Sequence, residues 1–171
     1  MTIRPVQLLV AGVLLAMCTT PVPLIGATGA ERAAPAIRFA ADDGTETELA
    51  GSRGRVVLVD VWASWCPPCR TAFPVLDNLY REFHPRGLDV FAVNVDVHKK
   101  DARRFLAGRG YSMPVFFDPS GRTPAAFKMQ AMPTSFLIDR RGVIRFVHEG
   151  YSDQVLRSYR SEIEQLIRET P

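Results

Sequence analysis

An apolar strand-like run that leads directly into two closely spaced cysteines constrains the fold of this chain more than any other feature. Residues 56–62 consist of four valines with Leu, Asp and Trp, as expected of a central strand covered on both faces. The sequence Trp65-Cys66-Pro67-Pro68-Cys69 follows almost at once. Apolar side chains then recur at helical spacing from Pro67 to Phe83. We therefore predict a buried strand that delivers the chain to a cysteine pair at the start of a helix.

The spacing of the two cysteines suits reversible disulfide chemistry. Residues three apart on a helix have Cβ atoms about 5 to 6 Å apart, so a small adjustment closes a disulfide between them. If Cys66 occupies the N-cap, the unpaired N–H groups and the positive helix end favour a thiolate there. Pro67 and Pro68 fit the first helical turn, where no N–H donor is needed. The pattern favours a redox-active pair with Cys66 as the nucleophile.

Two other uses of the cysteine pair stay open at this point. A purely structural disulfide is one, although a loop this short would stabilise the fold little. A zinc half-site is the other, but it needs further ligands. The third cysteine, Cys18, lies in the N-terminal segment, and the histidines occur singly, as His84, His98 and His148. We predict no metal and no cofactor other than the disulfide of the pair itself.

The composition is typical of one globular domain. The chain has 171 residues, of which 47% are hydrophobic and 23% charged, enough for a core that needs no disulfide staples. Its net charge is +3, and its basic residues are interspersed with acidic ones. No basic stripe indicates a nucleic-acid partner.

Residues 1–30 have the pattern of an export signal. Arg4 precedes an apolar run over 8–17, and small residues follow, with a cleavage site predicted after Gly29. Lipidation at Cys18 in a degenerate lipoprotein motif is one alternative, and retention of the apolar stretch as a membrane anchor is another. Each of these places the domain in the periplasm or another extracytoplasmic space, either soluble after cleavage or tethered to the membrane.

The rest of the chain alternates between strand and helix patterns. Residues 31–36 are predicted to be a linker, and the domain spans 37–171. We predict strands at 37–41, 45–50, 56–62, 88–95, 115–117, 134–138 and 143–147. We predict helices at 67–83, 99–107, 125–128 and, at the end of the chain, over the apolar positions 155 to 167. Alternating strands and helices imply crossovers and parallel pairing, whereas Asp139 to Gly142 form a hairpin signal.

An ordered set of motifs gives the chain a resemblance to a known family. The set comprises Val59 to Arg70, Pro74, Val93-Asn94-Val95-Asp96, Met132-Pro133-Thr134, Phe136 to Asp139 and Gly150. It resembles the thioredoxin fold and, more narrowly, is similar to the TlpA/ResA-type exported thiol-disulfide oxidoreductases, over about residues 37–167. The resemblance implies an α/β domain with a mixed central sheet flanked by helices, an N-terminal β-hairpin extension and a central family insert at about 108–130.

The resemblance also implies roles for the site residues. Cys66 is the exposed nucleophile that forms a mixed disulfide with the partner, and Cys69 is the buried resolving thiol. Pro133 falls where the family has a cis-proline, and the backbone of Met132 pairs there with an extended substrate segment. The substrate surface further includes Trp65, Pro67 and Pro68, with Trp62 also beside the site.

The proton acceptor is where the chain departs from its exported relatives. Many of them carry a glutamate three residues after the second cysteine, and that position is Ala72 here. Asp60 instead matches the buried aspartate of thioredoxin, whose accompanying lysine is replaced by Ala92. A buried carboxyl has a raised pKa and could take the proton of Cys69 through a water. We predict Asp60 as the general base, against the alternative of a hydrogen-bonded strand residue without catalytic duty.

The function implied is an exported reductase of protein disulfides, with protein thiols and disulfides as partners and a membrane electron donor of the DsbD/CcdA type. Substrates in cytochrome c maturation or copper-site assembly fit this class. A dithiol oxidant is the alternative within it. A non-catalytic copper-binding or scaffold domain, for which His98 and His148 are candidate ligands, is the alternative from another class. A peroxiredoxin-type peroxidase is disfavoured because Ala63 stands where that family needs a threonine.

Overall fold

A seven-stranded mixed sheet forms the centre of residues 32–170, the part of the chain that our computed structural model describes. In chain order the strands are β1 Arg38–Ala41, β2 Glu46–Glu48, β3 Val56–Trp62, β4 Leu88–Asn94, β5 Val115–Phe117, β6 Thr134–Ile138 and β7 Ile144–Glu149. The helices are α1 Pro67–Phe83, α2 Lys99–Leu106, α3 Arg122–Phe127 and α4 Asp153–Arg168, with 3₁₀ helices at Leu49–Ser52 and His84–Arg86. The spatial order of the strands is β2-β1-β5-β4-β3-β6-β7.

Strand β3 is the central strand that its continuous apolar sequence predicts. It pairs in parallel with β4 along its whole length, from Val56 opposite Leu88 to Trp62 opposite Asn94, and antiparallel with β6. All seven of its residues are buried. Strands β4 and β5 are also parallel, and the remaining neighbours are antiparallel, so the predicted mixed sheet is confirmed.

The two faces of β3 pack into two separate cores because successive strand side chains point to opposite faces. Leu58 and Trp62 belong to a cluster with α1, α2 and α4, to which both Cys66 and Cys69 also belong. Val57, Val59 and Val61 pack on the other side with α3 and a group of aromatic residues. Helices therefore cover both faces of the sheet, as predicted.

The predicted N-terminal hairpin is formed by β1 and β2, with its turn at Asp42-Asp43-Gly44. The described part of the segment predicted as a linker contacts the sheet. Ala33 bridges to Val143, and the Ile144 N–H donates to the Arg32 carbonyl over 2.9 Å. The segment predicted as a family insert, 108–130, supplies β5, which lies between β4 and β1, and α3. The predicted export signal, its cleavage site and Cys18 lie outside the described residues.

The element boundaries differ from the prediction at the end of β2, after β5 and in the last hairpin. The predicted strand 45–50 ends at Glu48, because Leu49 and Ala50 belong to the 3₁₀ helix Leu49–Ser52. The short helix predicted at 125–128 begins earlier, at Arg122. The final strand runs from Ile144 to Glu149, because Asp139 organises the preceding loop. Its Oδ1 accepts hydrogen bonds from the N–H groups of Arg141 at 3.0 Å and Val143 at 2.9 Å, which delays the start of the strand by one residue. Within residues 32–170, no helix is long and apolar enough to cross a bilayer.

Candidate active site

Cys66 occupies the N-cap of α1, as the sequence predicts. Its backbone is extended, with φ −91° and ψ 103°, and its Sγ accepts a hydrogen bond from the Cys69 N–H at 3.3 Å. Pro67 and Pro68 fill the first two helical positions. The sulfur of Cys66 thus lies at the positive end of a 17-residue helix, where a thiolate is stabilised by the helix dipole and by unpaired N–H groups.

The two cysteines are joined in a disulfide, so the structure represents the oxidised form. The sulfurs are 2.05 Å apart and the Cα atoms 5.3 Å apart. Cys66 is 4% exposed and Cys69 1%. Both cysteines are buried in this form, so Cys66 is not the exposed residue that the resemblance implies. The reason is that its sulfur is bonded to Cys69 and its side chain packs in the core beneath α1.

Apolar side chains lie next to the disulfide at the protein surface. Trp65 is 67% exposed, Pro67 is exposed and Pro68 half-buried, which fits the predicted substrate-contacting surface. Trp62 behaves differently from the prediction, since it is fully buried and its ring packs on Phe73 at a centroid distance of 4.6 Å. Trp62 is therefore a core residue beneath the site.

The Met132–Pro133 peptide bond is cis, as predicted from the family pattern. Thr134 pairs with Val61 near the C-terminal end of β3. Met132 and Pro133 therefore lie at the end of the sheet where β3 leads to the cysteines. The Pro133 carbonyl accepts the N–H of Gly150 at 2.8 Å. The backbone N–H and carbonyl of Met132, in contrast, have no hydrogen-bond partner within residues 32–170.

Asp60 lies on the same face of β3 as Leu58 and Trp62, which is the face that carries the cysteines. It is 2% exposed, and the Ser135 Oγ donates a hydrogen bond to its Oδ1 over 2.6 Å. Burial raises the pKa of Asp60 from its ordinary 3.8 to about 6, and the hydrogen bond from Ser135 opposes this rise. The expected raised pKa is confirmed, while the role of general base stays a prediction.

A chain of hydrogen bonds extends from Asp60 towards α4. The Tyr159 hydroxyl donates to the Ser135 Oγ over 2.8 Å, and Ser135 in turn donates to Asp60. Burial raises the pKa of Tyr159, and the negative charges of Asp60 and Glu162 raise it further. His148 packs edge-on against the tyrosine ring, with its Nε2 2.6 Å from the Glu162 carboxylate.

Sequence reasoning missed Ser135 and the hydroxyl of Tyr159. The apolar pattern predicts Tyr159 only as a position of the closing helix, and Ser135 only as part of the strand 134–138. One signal was present, since Ser135 is a small polar residue within the buried strand Thr134–Ile138. Its place opposite Asp60 depends on the antiparallel register of β3 and β6, which the sequence does not display.

Ala72 and Ala92, where the resemblance implies charged residues in related proteins, are both buried in the structure. Ala72 is 5% exposed and packs in the core, and Ala92 lies directly opposite Asp60 in the β3–β4 ladder. Because the residue opposite Asp60 is an alanine, this position supplies no positive charge to the carboxylate. Asp96 has a structural role: its Oδ1 accepts the Ser64 N–H at 3.0 Å and its Oδ2 the Asn94 side-chain amide at 3.1 Å, which fixes the loop before Trp65.

The described residues offer no evident metal centre. Between residues 32 and 170, no three or more His, Cys, Asp and Glu side chains are grouped so that they could hold a metal ion. His148 is engaged by Glu162, and His98 is an exposed residue that precedes α2. These two histidines, the candidate copper ligands, do not form a site with the cysteine pair.

A mixed sheet with helices on both faces, a Cys-x-x-Cys disulfide at a helix N-terminus and a neighbouring cis-proline together define a thioredoxin-fold protein. The chain belongs to the Redoxin family, whose model matches residues 29–167.

Named relatives agree with this assignment. The thiol-disulfide oxidoreductase ResA of Bacillus subtilis is 30% identical over 118 residues, which are 68% of this chain and 66% of the relative. The ResA of Halalkalibacterium halodurans is 32% identical over 117 residues, 67% of this chain and 66% of that protein. The chain thus spans slightly less than two thirds of the length of these relatives. A crystal structure from Chlorobium tepidum, assigned as the thiol:disulfide interchange protein DsbE, is 36% identical with a TM-score of 0.76, covering 80% of this chain and 96% of that one.

Proposed function

We propose that the protein is an exported thiol-disulfide oxidoreductase that reduces disulfides in other proteins through Cys66 and Cys69. The observation that carries this proposal is the Cys66–Cys69 disulfide at the N-cap of α1, beside the exposed ring of Trp65. The names of the relatives, which describe thiol-disulfide oxidoreductases, support the class of reaction.

The reaction proceeds by two thiol-disulfide exchanges. The Cys66 thiolate attacks one sulfur of the substrate disulfide, the substrate S–S bond breaks, and the first substrate thiolate leaves. The Cys69 thiolate then attacks the Cys66 Sγ, the mixed disulfide breaks, and the second substrate thiolate leaves. Two electrons pass from the protein dithiol to the substrate, and the two thiol protons of the protein are balanced by the two that the substrate thiols take up.

Asp60 serves the second exchange as the general base. Cys69 must lose its proton before it attacks, and a buried carboxylate with a pKa of about 6 is ionised at neutral pH and basic enough to accept it. Both residues belong to the same side of the sheet, since Asp60 shares its face with the core that contains Cys69. The proton passes through a water molecule.

The substrate segment binds in extended form along Met132. The backbone N–H and carbonyl of Met132 have no hydrogen-bond partner within the described chain. They lie at the end of the sheet where β3 leads to Cys66. An extended segment that pairs with these groups is a short case of strand addition. Trp65, Pro67 and Pro68 then supply apolar contact to the side chains beside the substrate cysteine.

The reduction potential tests the direction of the reaction. We expect the full-length protein, equilibrated with glutathione and dithiol buffers, to give a potential near the thioredoxin value of about −270 mV. The readout is the fraction of the Cys66–Cys69 disulfide, measured by alkylation and mass spectrometry. A potential near −120 mV would overturn the reductase in favour of the oxidant. A pair that does not exchange with either buffer would overturn the oxidoreductase itself.

The proposed setting is extracytoplasmic. Residues 1–30 carry the export pattern described above, and a reductase outside the cytoplasm needs a membrane electron donor, for which the DsbD/CcdA type fits. Thiols of apocytochrome c or of copper-site precursors are the proposed substrates. The resemblance to TlpA/ResA-type proteins supports both assignments.

The hydrogen bond from Ser135 is expected to set the pH dependence of the second exchange. The variant Ser135→Ala loses a bond to the charged carboxylate, so the pKa of Asp60 should rise further and the pH midpoint of mixed-disulfide resolution should move up by about one unit. Tyr159→Phe should shift it less in the same direction, because it acts through Ser135.

Ser135→Thr is the matched control for this experiment, since it retains a hydroxyl and should keep the midpoint near that of the unaltered protein. The rate of resolution is followed by stopped-flow tryptophan fluorescence between pH 5 and 8. Identical midpoints in the alanine and threonine variants would show that Ser135 does not act on the proton acceptor.

A further inference from the structure

A groove with two arginines runs along the side of α1 next to the cysteine pair. We call it the basic groove, and it is lined by Pro67, Arg70, Pro74, Phe105, Arg109 and Tyr111, together with Thr71. Two of these residues directly follow the cysteines in sequence. The groove therefore begins where the disulfide is presented, and it leads away from it between α1 and the end of α2.

The guanidinium groups of both arginines lie close to one aromatic ring, that of Phe105. The guanidinium carbon of Arg70 lies 5.8 Å from the centroid of the Phe105 ring, and that of Arg109 lies 4.7 Å from it. The Arg109 Nε also donates to the Phe105 carbonyl, which fixes the direction of that side chain. Both guanidinium groups thus lie near the same apolar ring, with donor N–H groups left over.

These charges are not neutralised by the described part of the protein. Neither Arg70 nor Arg109 forms an ion pair within residues 32–170, and no Asp or Glu lines the basic groove. Other surface arginines do have carboxylate partners, as in the pairs Arg103–Asp42, Arg145–Glu169 and Arg160–Glu82. A cleft lined by one sign of charge concentrates ligands of the opposite sign.

We propose that the basic groove binds an acidic segment of the substrate protein next to the disulfide that Cys66 attacks. Guanidinium groups match carboxylates in geometry and bind them with two parallel hydrogen bonds, and Phe105, Tyr111 and the two prolines offer apolar contact to the rest of the segment. The inference rests on the proposed function, because it assigns a substrate preference to the same site.

Peptide disulfides of matched sequence test this inference. Three synthetic peptides, each with one internal disulfide, carry Glu, Gln or Lys at the positions flanking their cysteines. The reduced full-length protein reacts with each, and every rate is divided by the rate of dithiothreitol with the same peptide, which removes intrinsic reactivity. We expect a Glu-to-Gln rate ratio of about five and a Lys-to-Gln ratio below one. Both ratios should move towards one in about 0.5 M salt, because the Debye length there falls to about 4 Å and exposed charges are screened.

Variants separate the basic groove from general charge effects. Arg70→Gln should lower the Glu-to-Gln ratio, Arg70→Gln with Arg109→Gln should bring it to about one, and Arg70→Glu should favour the lysine peptide. Arg157→Gln is the matched control, since this exposed arginine of α4 lies outside the basic groove and has no ion pair in the described chain. This control variant should leave the reduction rates of all three peptides, and the Glu-to-Gln ratio, unchanged.

The outcomes distinguish this inference from the proposed function. Reduction of all three peptides with a ratio of one, or a ratio that survives the double substitution, would overturn the basic groove as a substrate site and leave the reductase intact. Binding to vesicles of anionic lipid without any peptide preference would also overturn it, in favour of a membrane contact. Failure to reduce any peptide would overturn the proposed function, and this inference with it.

Discussion

Substitution of either cysteine is expected to stop turnover, but each at a different step. Cys66→Ser removes the attacking thiolate, so the rate of substrate reduction should fall to that of the buffer alone. Cys69→Ser leaves the attack intact and removes the resolving thiol. It should therefore accumulate a mixed disulfide between Cys66 and the substrate in a one-to-one ratio.

Intact-mass spectrometry of the quenched reaction distinguishes the two variants, because only the second gains the mass of the substrate. Cys18→Ser is the matched control, since it removes the third cysteine of the chain and should reduce a soluble substrate at the unaltered rate. A mixed disulfide on Cys69 in the Cys66→Ser variant, formed as fast as the one on Cys66, would reverse the assigned roles.

Asp60→Asn is expected to slow mixed-disulfide resolution by about a hundredfold near pH 7.5, the typical size of a general-base contribution. The isosteric amide cannot accept the proton of Cys69. In the unaltered protein the rate should rise with pH through about 6, where Asp60 ionises, whereas the variant should lack that step. The two rates should draw together as the pH falls and become similar at about pH 4, because the carboxyl of the unaltered protein is then almost fully protonated.

The same substitution is expected to stabilise the fold at neutral and alkaline pH. The pKa of Asp60 is about 6 in the folded chain against an ordinary 3.8, so the folded state holds this proton more tightly than the unfolded state. The stabilising contribution is fully present below pH 3.8 and is lost as the pH rises through 6. Above that pH the buried carboxylate costs about 3 kcal/mol, and Asp60→Asn removes this cost.

Urea unfolding of the disulfide form at pH 4 and pH 8 measures the stability difference. The free energy of unfolding of the variant should exceed that of the unaltered protein at pH 8 and agree with it to within about 0.5 kcal/mol at pH 4. A variant that is slower and also less stable at pH 8 would assign Asp60 a structural role instead. If Asp60 is the catalytic base, the Asp60→Asn variant should be less active and more stable. The reason is that the reaction needs the buried carboxylate, whereas its charge destabilises the folded state.

Much of the fold follows from local patterns in the sequence. The valine-rich run predicts β3 within its observed bounds, and the prolines with the helical spacing that follows predict α1. The cysteine pair at the helix start depends on the same short stretch. These features need only the conformational preferences of neighbouring residues and the alternation of apolar side chains, and Cys66 at the N-cap is their direct consequence.

The sequence by itself therefore determined the reactive pair with its strand and helix, since these depend on residues close together in the chain, and it determined the class of fold through an ordered set of motifs over residues 59–150. Tertiary structure decided what surrounds the pair. The hydrogen bonds of Ser135 with Asp60 and Tyr159 depend on a strand register and on the packing of α4, and the basic groove joins Arg70 of α1 to Arg109 beyond α2. Such contacts bring together residues far apart in sequence, so their geometry is set by the packing of whole elements and not by any local pattern.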